Sequence, residues 1–333
     1  MNTARVQYLL ETARNLRLLV IGDVMLDEFV WGRVSRISPE APVPVVEVTG
    51  ESLYPGGAAN VARNLRPFCE SVEICGLVGQ DTAADRLEGL LGSEGIVTSG
   101  IIRSQAIPTI VKTRIVARQQ QVVRVDREKR GVAPEEARST ALAWIASRLP
   151  QLDGIIFEDY AKGLLDQNFV TQVSQMAVAA GKPVTADPNP NNRLSWQGVS
   201  VLKPNRLEAF AMVGLPDPGA ADNPLEDTAL LHAAKVLMES QQVGALLVTL
   251  GEHGMLLVQR DHPPYHTPTR AREVFDVSGA GDTAIAVFTL ALCAGATLPE
   301  AAELSNHASG IVVGKLGTAT ILPAELTASI QSA

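Results

Sequence analysis

The sequence predicts an α/β fold with a mostly parallel central sheet and a small β-sheet lid. Three observations carry this expectation. Short apolar runs ended by Gly or Asp recur along the chain, stretches of helical periodicity separate most of them, and two distant segments break that rhythm by alternating apolar with polar residues. Strands that alternate with helices require a parallel sheet covered on both faces, since each crossover lays a helix on one of them.

The strand candidates are "RLLVIGD", "VEICGLVG", "GIIFEDY", "PVTADPNP", "VSVLKPN" and "ALLVTLG". Between them, "AANVARNL", "DRLEGLLGSEG", "LDQNFVTQVSQMAVAAG" and "HAAKVLMESQQ" carry helical spacing. The two exceptions, at about 29–53 and 106–126, are "EFVWGRVSRISPEAPVPVVEVTGESLY" and "AIPTIVKTRIVARQQQVVRVDREK". They are rich in β-branched residues and lack a helical face. They read as a small sheet inserted twice into one domain, 1–333, and lying over one end of it; edge strands of the main sheet are the alternative. Such a lid exposes edges and an apolar face, so a homodimer through the lid is expected. "LPDPGAADNPLED" reads as a surface loop.

Composition narrows the function classes. The 333 residues are 46% hydrophobic, enough for a substantial core. Twenty-eight Lys and Arg against 36 Asp and Glu give a net charge of −8, without the basic footprint of a nucleic-acid binder, so a small-molecule partner is expected. Cys69, Cys75 and Cys293 have neither C-x-x-C spacing nor a His cluster and read as reduced, buried thiols. "MNTARVQYLLETARNLRLLVIGD" lacks signal-peptide character, and no run reaches the roughly 18 to 20 apolar residues of a membrane span. A cytoplasmic protein without a membrane partner is the expectation.

"DVSGAGDTAIAV" (276–287) sets two glycines and two aspartates against the start of an apolar helix. A helix N-terminus has unpaired N–H groups and partial positive charge, which suit a phosphate or a developing anion. Gly279 and Gly281 would let that anion approach the backbone, and Asp282, in the first turn, could accept a proton from an attacking hydroxyl. Taken alone, the stretch reads first as an ordinary Gly-rich turn capped by Asp. A dinucleotide fingerprint is disfavoured because helix, not strand, follows; a P-loop in "GIVVGKLG" fails because Leu316 stands where Ser or Thr should be. Further junctions carry similar chemistry: Gly56, Gly57 and Asn60 in "YPGGAANVARNL", Asn205 and Glu208 in "LKPNRLEAF", and Thr249, Gly251 and Gly254 in "TLGEHG".

In this order and spacing, "PGGAANVARNL", "KPNRLE", "TLGEHG" and "DVSGAGDTAIA" resemble the ribokinase-like, or PfkB, family of carbohydrate kinases over essentially the whole chain. The resemblance implies a ribokinase-like three-layer sandwich, ATP and magnesium as cofactors, and phosphoryl transfer to a sugar. Asp282 would be the general base, with the amides of Gly279, Ala280 and Gly281 stabilising the transferring phosphoryl group. Asn205 and Glu208 would organise Mg²⁺ and its waters. Thr249, Gly251 and Gly254 would line the nucleotide site, Asn306 would border the adenine, and Asp276 with "KLGTAT" resembles a monovalent-cation site for K⁺.

Within the family, "VIGDVMLDEFVWGRVSRISPEAPVPVV", "PTIVKTRIVARQQQVVRVD", "EDYAKG" and "VVGKLGTAT" look like kinases that phosphorylate D-glycero-D-manno-heptose 7-phosphate at its anomeric hydroxyl, for nucleotide-activated heptose and surface glycans. Asp23, Asp27, Gly56, Gly57 and Asn60 resemble the hydroxyl-binding set. Lys112, Arg114 and Arg118, in phase along a strand, and Lys162 would bind the substrate's own phosphate; for any one of them a solvated lid surface is an equal alternative. "DPNPNNR" departs from the heptose-kinase pattern toward the Asp-x-Asn of fructokinases, which keeps fructose, fructose phosphates and ribose open as substrates. The chain length implies the stand-alone kind, without a fused nucleotidyltransferase. Two other classes compete: a non-catalytic sensor of sugar or nucleotide, opposed by the intact Asp282, Asn205 and Glu208, and a dehydrogenase, which the absence of any NAD-dependent signal would dispose of.

Overall fold

The computed structural model describes the whole chain except residues 119, 130, 272–273, 316, 318 and 333. Its first strands are β1 (Arg17–Gly22), β2 (Val24–Ile37), β3 (Pro44–Gly57), β4 (Ser71–Gly79), β5 (Val97–Ser104), β6 (Ile110–Ala117) and β7 (Gln120–Arg127). The second half adds β8 (Gly154–Glu158), β9 (Val184–Asp187), β10 (Val201–Leu202), β11 (Ala245–Thr249), β12 (Met255–Gln259) and β13 (Tyr265–Thr267). The helices are α1 (Thr3–Ala13), α2 (Ala58–Leu65), α3 (Thr82–Ser93), α4 (Glu135–Arg148) and α5 (Gln167–Ala179), followed by α6 (Arg206–Val213), α7 (Thr228–Gln241), α8 (Ala280–Cys293), α9 (Leu298–Val312) and α10 (Pro323–Gln331).

Among the described residues, nine strands form the main sheet in the order β13-β12-β11-β10-β9-β8-β1-β4-β5. Every neighbouring pair from β11 to β5 is parallel, and β12 and β13 close one edge as antiparallel strands. The near-continuous apolar runs follow from burial on both faces. Leu18 and Val20 of β1 join the core formed with α1, α2, α3, α8, α9 and α10, while Leu19 and Ile21 point to the opposite core with α4, α5, α6 and α7. The result is a three-layer α/β sandwich. Aspartates start several of the helices: Asp81, Asp166 and Asp227 each accept an N–H from the first turn of α3, α5 and α7.

The two exceptional segments form a second, four-stranded sheet in the order β3-β2-β6-β7, with β2 and β6 parallel and both outer pairs antiparallel. They are not edge strands of the main sheet, whose edges are β13 and β5. The strands run further inward than their polar alternation indicates: β2 begins at Val24 and β3 ends at Gly57, because Val24, Met25 and Leu26 are buried in the core. "GDVMLD" and "YPGG" are therefore largely strand ends rather than loops. One phase expectation fails. A register shift between Ile115 and Val116 breaks the alternation of β6, and Arg118 lies beyond the strand at φ 50°, exposed in a turn, so it does not share the face of Lys112 and Arg114.

Cys69 and Cys75 are buried and Cys293 half-buried, all three as free thiols that burial pushes up to about 12. No described helix is long and apolar enough to cross a membrane.

Candidate active site

The carboxyl ends of the central parallel strands converge, as open α/β sheets place their ligand crevices. β1 delivers Asp23, β8 ends at Glu158 and leads to Asp159 and Tyr160, β9 ends at Asp187, β10 leads to Lys203, and β11 ends at Thr249. The N-termini of α2 and α8 add Asn60 and Asp282 from the other layer.

Gly279 caps α8 at φ 78°, a left-handed conformation that glycine adopts without strain, and its carbonyl accepts from Thr283 N at 2.9 Å. Asp282 is thereby fixed in the first turn and is buried. Both of its carboxylate oxygens are held. Asn60 Nδ2 donates to Oδ2 at 2.6 Å and the Tyr160 hydroxyl donates to Oδ1 at 3.2 Å. Burial raises the carboxyl above its ordinary value, opposed by Asn60, the Lys203 charge and Tyr160. The negative charge of Asp282, together with burial, keeps the Tyr160 phenol protonated and a donor. One expected amide is engaged elsewhere: Ala280 N–H donates to Val277 O at 3.2 Å, which leaves the next first-turn amides, of Gly281 and Asp282, directed out of the helix.

Beneath this carboxylate lies a charge network that motif reading missed. Lys203 Nζ is 2.7 Å from Asp187 Oδ2, with both side chains largely buried. Burial pushes Asp187 up while Lys203 opposes it, and burial lowers Lys203 while the charge and hydrogen bond of Asp187, with Glu158 and Glu208, together more than restore it. Glu158 is fully buried; burial first, then the negative charges of Asp187 and Asp282, push its carboxyl well above its ordinary value, with Lys203 opposing them. Its Oε2 has no hydrogen-bond partner among the described residues. "EDYAKG", "DPNPNN" and "KPN" contain these groups, yet only the order of strand ends makes Glu158, Tyr160, Asp187 and Lys203 neighbours.

On the lid side, Asp23 Oδ2 accepts from Tyr160 N at 3.1 Å and from Lys162 N at 2.9 Å, so it shapes the loop after β8. Asp27 pairs with Arg114, whose guanidinium also lies 5.3 Å from the centre of the Phe29 ring. A Cβ at Gly56 would run into the Asp27 carboxylate, and Gly57, at φ 60°, turns the chain from β3 into α2 beside the Asp23 carbonyl. Lys112 and Lys162 also converge, both reaching Glu128.

On the opposite side, Asn205 and Glu208 form a reciprocal capping box at the start of α6: Glu208 N donates to Asn205 Oδ1 at 2.9 Å and Asn205 N to Glu208 Oε2 at 2.7 Å. Thr249 N donates to Pro204 O at 3.0 Å, which brings the two motifs together. Gly251 and Gly254, at φ 58° and 82°, make the tight turn between β11 and β12. Asn306 Nδ2 donates to Thr267 Oγ1 at 3.0 Å and Pro268 O at 2.6 Å, tying α9 to the end of β13. Asp276 accepts from Ser278 N at 2.9 Å and Gly317 N at 3.3 Å. Burial would raise its carboxyl, but these donors hold it below the usual value. Leu316 and Thr318 of "KLGTAT" lie outside the described residues.

Comparison with known proteins decides the family. Residues 15–325 match the model of the pfkB family of carbohydrate kinases. The chain belongs to this family. Like the other pfkB kinases, it is an ATP-dependent sugar kinase with a ribokinase-like fold. It is 46% identical over 317 residues to a protein of Pseudomonas fluorescens named bifunctional protein HldE, covering 94% of this chain and 63% of that one. A structure of Arabidopsis thaliana ribokinase complexed with ribose and ATP superimposes with a TM-score of 0.71 at 16% identity, covering 95% of this chain and 99% of that one. Phosphofructokinase-2 from Escherichia coli in complex with potassium gives 0.75 at 18%, with the same coverages. The chain spans about two thirds of the length of the curated relatives it matches.

A pfkB kinase uses ATP with a divalent metal, and the residues here suit one. Asp187 and Glu208 both act electrostatically on Lys203, and Glu158 Oε2 is an unsatisfied buried oxygen nearby. Oxygen donors of this kind fit a hard cation that keeps several waters. Among the described residues no group of three or more His, Cys, Asp or Glu forms a metal cage, so phosphate oxygens and water would complete the coordination.

Proposed function

We propose that this pfkB kinase transfers the γ-phosphoryl group of ATP to the anomeric hydroxyl of D-glycero-β-D-manno-heptose 7-phosphate, giving the 1,7-bisphosphate. The observation that carries the chemistry is the Asp282 carboxylate at the start of α8, held on both oxygens by Asn60 and Tyr160. Burial makes it a stronger base than a free aspartate, suited to taking the hydroxyl proton as the nucleophile attacks. The first-turn amides of α8 face the transferring phosphoryl group, where charge is stabilised without reorganisation. Asp187 and Glu208, with Asn205 at the head of α6, would hold Mg²⁺ through water, where the ion would offset charge on the phosphates. Thr249, Gly251, Gly254 and Asn306 would border the nucleotide, and Asp276, with "KLGTAT", would hold a monovalent cation.

The sugar assignment rests on the lid motifs, on relatives named bifunctional protein HldE, and on the basic groups Lys112, Arg114 and Lys162 beside Asp23 and Asp27. A kinase of another sugar phosphate remains the second reading, because "DPNPNNR" differs from the heptose pattern; there Asn192 Nδ2 donates to Asp159 Oδ1 at 3.1 Å and Leu165 O at 3.0 Å. Use of ATP fits a cytoplasmic location, and the exposed lid sheet fits a homodimer.

The test is ATP consumption with Mg²⁺ and a panel of heptose 7-phosphate, fructose phosphates and ribose, with phosphorus NMR of the product. A new anomeric phosphate from the heptose supports the reading; turnover of another panel member alone overturns it. Asp282→Asn should bind nucleotide as the wild type does and turn over on the order of 10² to 10⁴ more slowly; unchanged turnover would remove the base from Asp282.

A further inference from the structure

Glu128 sits where an anion would sit between two lysines. Lys112 rises from β6, Lys162 from the loop after β8, and Glu128 directly follows β7. Glu128 Oε1 accepts from Lys162 Nζ at 3.0 Å, and Oε2 lies 2.8 Å from the same nitrogen and 3.4 Å from Lys112 Nζ. The three side chains are 12–17% exposed, too enclosed for a loosely solvated surface pair. Hydrogen bonding to Lys162 is the main cause holding the Glu128 carboxyl below its ordinary value, so it is a carboxylate at neutral pH. The second carboxylate on Lys112, Asp126 at 3.2 Å, is separately paired with Arg124 at 2.9 and 3.0 Å.

The position of this triad matters. Lys112 stands opposite Asp27 in the β2–β6 register, the Lys162 amide donates to Asp23, and Asp23, Ile110, Lys129 and Lys162 line one cleft between the two sheets. A phosphate dianion entering between the lysines would meet a carboxylate already using them. Like charges at that separation repel about as strongly as either lysine attracts. Glu128 and a bound phosphate therefore exclude one another.

We propose that Glu128 is a displaceable stand-in for the substrate's phosphate. Without sugar it keeps Lys112 and Lys162 at a phosphate-binding separation and joins the small sheet to the loop after β8; on binding, the phosphate takes both lysines and Glu128 turns to solvent. An unphosphorylated sugar makes no such exchange and leaves both lysines paired, so the cost of displacing Glu128 falls on the phosphorylated sugar alone. The proposal rests on the reading that the substrate carries a phosphate.

The test is calorimetric titration of inorganic phosphate into the full chain at fixed ionic strength, without nucleotide or sugar. Glu128→Gln should bind phosphate about fivefold more tightly than wild type, the worth of one partly exposed ion pair, and Glu128→Ala should reproduce the gain if the amide variant folds poorly. The gain should vanish in Glu128→Gln/Lys162→Met, which separates this site from the α8 N-terminus. Binding by both single variants that is unchanged, weaker or undetectable overturns the proposal, as does a gain that survives the loss of Lys162. The outcomes stay distinct from those of the substrate panel: inert heptose 7-phosphate with a phosphate gain fails only the sugar assignment, and turnover of the heptose without a gain fails only the role of Glu128.

Discussion

Asp282 keeps its position and its basicity through Asn60 and Tyr160, and the two neighbours can be separated. Tyr160→Phe removes the donor to Oδ1, which now lowers the carboxyl's proton affinity, so the acidic limb of the pH–turnover profile should move to higher pH, with turnover at neutral pH reduced roughly three- to tenfold. An unmoved limb would show that the phenol packs without tuning the base. Asp159 permits a stability test. Burial raises its carboxyl from 3.8 to about 6 in the folded chain, against the donors Ala161 and Asn192. The folded state therefore holds the proton more tightly, and this contribution is complete below pH 3.8 and lost as pH rises through about 6. Across that window Asp159→Asn, which does not titrate, should gain up to about 3 kcal/mol on the wild type in denaturant unfolding. A parallel pair of pH profiles would contradict it. Asp282 and Asn60 were legible in the sequence because glycines and helix starts mark them locally. Glu158, Asp187 and Lys203 were not, since an Asp or Lys after an apolar run has no special meaning until strand order sets it beside others.

At the scale of elements, apolar runs and helical spacing located most of the parallel strands and their crossovers, whereas the small sheet was legible by composition but not by extent. Polar alternation stops where β2 and β3 enter the core, so Val24–Leu26 carry no such signal although they belong to the same strand. The shift at Ile115–Val116 is likewise invisible in a β-branched run, and it removes Arg118 from the face of Lys112. The junction of β3 and α2 offers a direct check. Gly57 is at φ 60° with the Asp23 carbonyl and Met25 Cε against its missing Cβ, so Gly57→Ala should cost about 1–3 kcal/mol and disturb the placement of Asn60. Thermal unfolding reads the first effect, and turnover below that of an equally destabilised surface variant reads the second.

For the whole molecule, the small sheet leaves Val122, Val123 and Val125 exposed on β7, an outer strand with a free edge. If a second copy covers it, Val123→Lys should halve the mass measured by light scattering; an unchanged mass would place any dimer contact elsewhere. The strand order has another consequence. β1, which leads to Asp23, lies between β4 and β8, and its backbone finds its full set of partners only when Gly154–Glu158 is present. During synthesis at about 5–20 residues per second, that strand emerges many seconds before its neighbour. The first half of the chain therefore spends that interval with the open side of a central strand unpaired, which makes the nascent polypeptide, rather than the finished kinase, the species most in need of a chaperone.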